Sequence, residues 1–146
     1  MHYFMSDIHG AEEAYLKMKE IIDFKANDEL YILGDIFDGN DNNPKACLNI
    51  LDDIMNHDNI HLILGDHEYA HVIYNLFSED KEVKSYWLNY LLSHSAKPLL
   101  EYFYNRLTEK EKSLYISYLL KCEISDMIKI GNSQFYLVHG SPVSCG

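Results

Sequence analysis

Leu30-Tyr31-Ile32-Leu33-Gly34-Asp35-Ile36-Phe37-Asp38-Gly39 is the stretch that decides the fold. Leu30 to Leu33 reads as an apolar strand. It runs into Gly34-Asp35 and a loop rich in Asp, Asn and Gly through Asn43. Pro44 suits the first turn of a helix. Ala46, Leu48, Ile50, Leu51, Ile54 and Met55 then give that helix an apolar face to about Asn56. The same order recurs on either side. His2 to Met5 reads as a strand, Ser6 to Gly10 as a polar turn, and Ala11 to Asp23 as an amphipathic helix. Ile60 to Leu64 reads as a third strand, running into Gly65-Asp66. Strand, polar loop and helix in repetition predict an α/β fold with a largely parallel sheet. In such sheets ligands sit outside the carboxyl ends of the strands, so the polar loops meet at the edge where a site is built.

The rest of the chain changes character. His67 to Lys121 is helical in pattern, rich in Tyr and Leu, and holds the single tryptophan, Trp87. Ser95 to Pro98 is expected to break it. Thr108 with Glu111 has the form of a capping box that starts another helix. Ile124 to Ile130 and Gln134 to Val138 are expected to pair as a hairpin around Gly131-Asn132. The predicted architecture is a βαβαβ core, a helical insertion and a C-terminal β-hairpin, within one domain over residues 1–146.

Composition limits the partners. A net charge of -11 argues against unaided binding to nucleic acid or an anionic membrane, since both need a basic surface. Bound divalent cations would reverse the local sign and admit a phosphorylated substrate. Cys47, Cys122 and Cys145 are odd in number and form no Cys-x-x-Cys pair, which reads as reduced thiols in a cytoplasm. The N-terminus lacks the pattern of a signal peptide, and no apolar run approaches the roughly 20 residues of a membrane span. Oligomeric state is not indicated.

Four polar clusters follow apolar strands directly: Asp7-Ile8-His9-Gly10, Gly34-Asp35-Ile36-Phe37-Asp38-Gly39, Gly65-Asp66-His67-Glu68 and His139-Gly140. Taken singly each is weak. Asp-x-His is commoner in surface and capping roles, Gly-Asp is commoner in turns, and Asp-His-Glu usually marks a helix start with Asp66 as its N-cap. His139 alone suits a satisfied buried histidine. Together, at strand ends in a βαβ order, they suit a divalent metal centre with mixed nitrogen and oxygen ligands. Asp7 and His9, two apart on an extended segment, point the same way. Asp35 has two oxygens with which to bridge two cations, while Asp66 and His139 add an oxygen and a nitrogen. Two such cations about 3.5–4 Å apart clamp a phosphate and activate water. His67 is then placed to protonate a leaving alkoxide, with Asp38 orienting its ring.

These clusters resemble the signature of calcineurin-like metallophosphoesterases, in which Asp-x-His, Gly-Asp-x-x-Asp, Gly-Asn-His-Glu and a later His-Gly follow in that order. The spacing, the surroundings of Trp87-Leu88 and the run Tyr136-Leu137-Val138-His139-Gly140 resemble the bacterial serine/threonine phosphoprotein phosphatase branch, which includes diadenosine tetraphosphatases. The resemblance covers essentially the whole chain. It implies a two-sheet sandwich with flanking helices and two divalent ions, Mn²⁺ first with Fe or Zn²⁺ as alternatives. It implies that Asp7 and His9 hold one ion, Asp35 bridges, and Asp66 and His139 hold the other. His67 is implied as the general acid, paired with Asp38, and a metal-bound hydroxide as the nucleophile. The implied substrate is a phosphoprotein, or else a dinucleoside polyphosphate or other small phosphoester.

Three departures qualify what the resemblance implies. Asp66 stands where the family has Asn, adding negative charge beside an anionic substrate. Gly39-Asn40 stand where the phosphatase branch has Arg-Gly, removing a bidentate phosphate contact. The family's last metal ligands and the second half of its sandwich fall beyond Gly146, so the domain is expected to be C-terminally incomplete and to hold at most one ion tightly. An inactive metal-binding or interaction module is the alternative. His2, His57, His61, His71 and His94 match no motif position and are expected to be structural or solvated, and the Tyr-rich helices to be core and cap.

Overall fold

A computed structural model describes residues 1–39, 43–77 and 79–140. Chain order is β1 (His2–Met5), α1 (Glu12–Ile21), β2 (Glu29–Leu33), α2 (Pro44–Met55), β3 (Ile60–Ile63), α3 (Asp66–Leu76), α4 (Lys81–Ser93), α5 (Lys97–Arg106), α6 (Glu109–Leu119), β4 (Ser125–Ile130) and β5 (Ser133–Val138). The first three strands form a parallel sheet in the order β1-β2-β3, and β4 and β5 form a separate antiparallel hairpin. The expected α/β core, helical insertion and hairpin are therefore present. Differences lie at the ends of elements. α1 stops at Ile21 because Asp23 turns into the left-handed region at φ 50°.

Period-two alternation gives the sheet two unlike faces. Leu30, Ile32, Ile60 and Leu62 are buried in one core with Leu48, Leu51 and Ile54 of α2, Phe103 of α5 and Tyr115 and Leu119 of α6. Each such Leu or Ile contributes roughly 1.5–3 kcal/mol by leaving water. On the other face Tyr31 stacks between Phe4 and His61, at centroid distances of 5.4 and 4.7 Å. A second, smaller core of Ala70, Tyr74, Leu91, Ala96 and Leu100 joins α3, α4 and α5. The hairpin attaches beside β3, where the Leu64 amide donates to the Glu123 carbonyl at 2.9 Å. Among the described residues no helix is long and apolar enough to cross a membrane.

Local chemistry sets the helix starts. Asn43 caps α2 by accepting from the Ala46 amide at 3.2 Å, with Pro44 as the first helical residue. Thr108 and Glu111 exchange bonds at the start of α6, as the capping box predicts. α3 has Gly65 as its N-cap, so Asp66 is not the cap residue that its cluster taken alone suggested, and its side chain is left for other work.

One polar cluster ties α1 to α2. Asp53 accepts from Tyr15 Oη at 2.6 Å and from Lys19 Nζ at 2.5 Å. Burial pushes the Asp53 carboxyl upward, but the Lys19 and Tyr15 bonds outweigh it and hold the pKa below the ordinary carboxylate value. A carboxylate with a depressed folded-state pKa adds stability above its unfolded pKa, and that stability is lost as pH falls through the folded value. Asp53→Asn is expected to lower unfolding stability by about 1–3 kcal/mol at pH 7. In urea unfolding the gap between variant and wild type should shrink steadily as pH is taken below 4.

Candidate active site

The loops after β1 and β2 run on as a pair beyond the sheet. Asp7 N donates to the Gly34 carbonyl at 3.1 Å, His9 N to Asp35 O at 2.9 Å, and Gly10 N to Ile36 O at 3.0 Å. This places the first two clusters side by side. Asp7, His9, Asp35 and Asp38 all adopt positive φ, between 46° and 58°. They are four of the six non-glycine residues that do so among those described. Left-handed backbone is disfavoured for side-chain-bearing residues and gathers where function demands a particular side-chain direction.

The third cluster closes against the second through two glycines and one glutamate. A Cβ on Gly34 would stand 2.6 Å from the Gly65 Cα, and one on Gly65 would overlap the Asp35 carboxylate. Only glycine allows these two backbones to approach so closely. Glu68 is wholly buried. Its Oε1 accepts from the amides of Ile36 (2.7 Å) and Phe37 (2.9 Å), and its Oε2 from those of Asp35 (2.8 Å) and Gly65 (3.0 Å). Burial pushes the Glu68 carboxyl pKa upward, while the four amides favour its ionised form.

The five expected metal ligands converge. His139 Nε2 is 3.2 Å from both Asp35 Oδ2 and Asp66 Oδ1. His9 Nε2 is 3.7 Å from Asp35 Oδ2 and 4.0 Å from Asp7 Oδ1. Each imidazole has its other nitrogen fixed on a backbone carbonyl: His9 Nδ1–H donates to Phe37 O at 2.9 Å, and His139 Nδ1–H to Leu33 O at 2.7 Å. That is the second-shell arrangement that orients a histidine ligand and frees Nε2 for a metal. Among the described residues no lysine or arginine pairs with Asp7, Asp35 or Asp66. Three carboxylates and two imidazoles without a cationic partner fit a divalent ion. Grouping by reach differs from the expected division. Asp7, Asp35 and His139 form one set and His9, Asp35 and His67 another, with ligand atoms in each set within 4.8 Å of one another. Asp35 is common to both, as a bridging carboxylate would be.

Charge crowding shows in the acidities. Burial raises the Asp35 carboxyl pKa; the nearby imidazoles only partly oppose this. Burial acts against the Asp66 carboxylate too, but a 2.5 Å bond from Tyr90 Oη helps bring its pKa below the ordinary value. Asp38 is buried and accepts from His67 Nδ1 at 2.9 Å and from His71 Nε2 at 3.1 Å. These two bonds outweigh burial and lower its pKa. Burial disfavours a proton on His67, but the Asp38 bond and the charges of Asp35, Asp38 and Asp66 outweigh it and raise the pKa.

Sequence reasoning missed three side chains. His71 shares Asp38 with His67. Tyr90 holds Asp66. His94 stands edge-on to His67, with centroids 5.8 Å apart. For His71 the signal was its place four residues after His67, on the same helix face. Tyr90 and His94 arrive through packing of α4 on α3, which no local pattern announces. Asn40, the second residue of the Gly39-Asn40 departure, and Cys145 lie outside the described residues.

The calcineurin-like phosphoesterase family profile matches residues 3–144, and the chain belongs to that family. No curated protein matches it significantly. Its fold is similar to the crystal structure of a hypothetical protein from Pyrococcus horikoshii OT3, with a TM-score of 0.57 at 19% identity. That match covers 97% of this chain and 56% of the other, so the chain spans little more than half the length of that structure.

Glu68→Gln offers an isosteric probe of the clamp. Turning either carboxylate oxygen into an NH₂ group sets it against two backbone donors. At about 1–3 kcal/mol for each stranded group, the variant is expected to lose about 2–6 kcal/mol in urea unfolding. A loss under 0.5 kcal/mol would show that the clamp does not hold the loops.

Proposed function

We propose that this chain hydrolyses phosphate esters at the Asp7, His9, Asp35, Asp66 and His139 centre with divalent metal ions, His67 acting as general acid. The observation that carries the reading is the meeting of two groups of possible ligand atoms on Asp35, one with Asp7 and His139 and the other with His9 and with His67, which is paired with the buried Asp38. Bound there, divalent cations would supply Lewis-acid polarisation of the phosphoryl oxygens and a more acidic water.

The protein's own groups do the remaining work. Asp38 accepts the His67 Nδ1 proton and so leaves Nε2 as the nitrogen that meets the leaving oxygen. His71 holds Asp38 from the other side and limits its rotation. The net charge of the acidic side chains favours the protonated imidazole, the form a general acid needs. Imidazole and carboxylate donors without thiolate suit Mn²⁺ first, with Fe or Zn²⁺ as alternatives. Asp66, tethered by Tyr90, supplies the oxygen that the family's Asn otherwise gives. Free thiols at Cys47 and Cys122 suit a cytoplasmic setting.

Among substrates, a small phosphoester, a dinucleoside polyphosphate included, is the reading the site supports best. The chain's one arginine, Arg106, ends α5 and shares an open depression with Pro44 and Pro98, not with any candidate ligand. Residues 1–146 therefore bring no arginine to these candidate ligands for a bidentate clamp of the phosphoprotein phosphatase kind. Phosphoserine or phosphothreonine in a protein is the second reading, supported by the motif order of that branch.

Two substitutions separate ligand from acid. In calorimetry with Mn²⁺, Asp35→Asn is expected to weaken binding at least about tenfold with circular dichroism unchanged. His67→Ala is expected to keep Mn²⁺ affinity within about threefold while kcat on a bis-aryl phosphodiester falls about 10²–10⁴-fold. Loss of metal affinity in His67→Ala would make His67 a ligand instead of the acid. Turnover of a phosphopeptide in preference to diadenosine tetraphosphate and the diester would promote the second reading.

A further inference from the structure

The cleft beside His67 has a wall that the metal centre does not use. His9, Gly39, His67, His94 and Ser95 line an open space of about 230 Å³. His94 is the C-cap residue of α4, and Ser95 turns the chain into the left-handed region at φ 61° immediately after it. The His94 ring is exposed yet held. Its Nδ1 donates to the Tyr90 carbonyl at 2.8 Å, and the ring stacks on Tyr90 at 4.0 Å with 18° between the planes. Tyr90 is itself fixed, by its hydroxyl on Asp66 and by the edge of Trp87 at 5.5 Å. An ordered ring thus faces the cleft from an element that supplies no metal ligand.

The position of this wall follows from the acid. His67 spends Nδ1 on Asp38, so a leaving oxygen meets its other nitrogen. The group attached to that oxygen then extends into the open space that both rings line, where His67 and His94, in edge-on contact at 5.8 Å between centroids, make one continuous wall. Among the described residues the lining of that space is three imidazole rings, a glycine and a serine, without lysine, arginine or carboxylate. Flat π surfaces favour an aromatic occupant in stacked or edge-on contact over a charged or polyhydroxylated one. A cavity of about 150 Å³ already holds a benzene ring, so the cleft has room for one.

We propose that His94, buttressed by Tyr90, forms a leaving-group subsite that selects a planar aromatic ring, so that aryl phosphoesters are preferred over alkyl ones. This rests on the phosphoesterase reading above and names the substrate class of the same site. His94 is a specificity-determining residue; Tyr90 is the positioning residue behind it.

Non-hydrolysable phosphonates test the subsite without turnover. With Mn²⁺ present, calorimetry is expected to show phenylphosphonate binding at least about tenfold more tightly than methylphosphonate. His94→Ala should reduce that preference below threefold while methylphosphonate affinity stays within threefold. His94→Phe, which keeps a ring, should retain it. Equal binding of the two phosphonates by wild type, or a preference that survives His94→Ala, overturns the subsite alone. Failure of both to bind to Mn²⁺-loaded protein overturns the phosphoesterase reading and the subsite with it.

Discussion

The relative placement of Asp35, Asp38, Asp66 and His67 depends on one buried carboxylate. Glu68 draws amides from the loop after β2 and from the turn into α3 onto its two oxygens. Those amides lie at strand ends, where the ladder has stopped and the backbone donors would otherwise be orphaned. A buried polar backbone group without a partner is costly, so the clamp both satisfies the donors and fixes the distance between the loops. Asp35 and Asp38 leave one loop and Asp66 and His67 the other. Their separation is therefore set by backbone hydrogen bonding and by the two glycines that let the chains touch.

On that frame the side chains sort by what their second atom does. His9 and His139 spend Nδ1 on main-chain carbonyls, which suits ligands. His67 spends Nδ1 on a buried carboxylate, the partner the proposed acid role asks for. The surplus of negative charge at Asp7, Asp35 and Asp66 favours cations in the same place, which offsets repulsion with an anionic substrate.

Much of this was legible in the chain. Apolar strands ending in Gly-Asp gave the parallel core, because burial and the turn chemistry of the strand end act locally. The candidate ligands were legible because they sit one to four residues past strands whose ends must meet. The left-handed backbone of Asp7, His9, Asp35 and Asp38 was not, since Asp and His, though enriched at positive φ, adopt it at only a minority of positions and no local pattern marks which. Glu68 stood in a quoted cluster, but its role depends on amides from another loop. Tyr90 and His94 read as an ordinary helical face because their site function comes from the packing of α4 on α3, a long-range contact without periodic signature.

The central claim is that Asp35 is the shared carboxylate of a cation centre. A crystal of the protein grown with Mn²⁺, measured at the manganese absorption edge, addresses it directly. The account predicts an anomalous peak coordinated by Asp35 together with His139 or His9, and any second peak on the opposite side of the same carboxylate. Manganese bound only at sites remote from Asp35, or none at millimolar concentration, would contradict it.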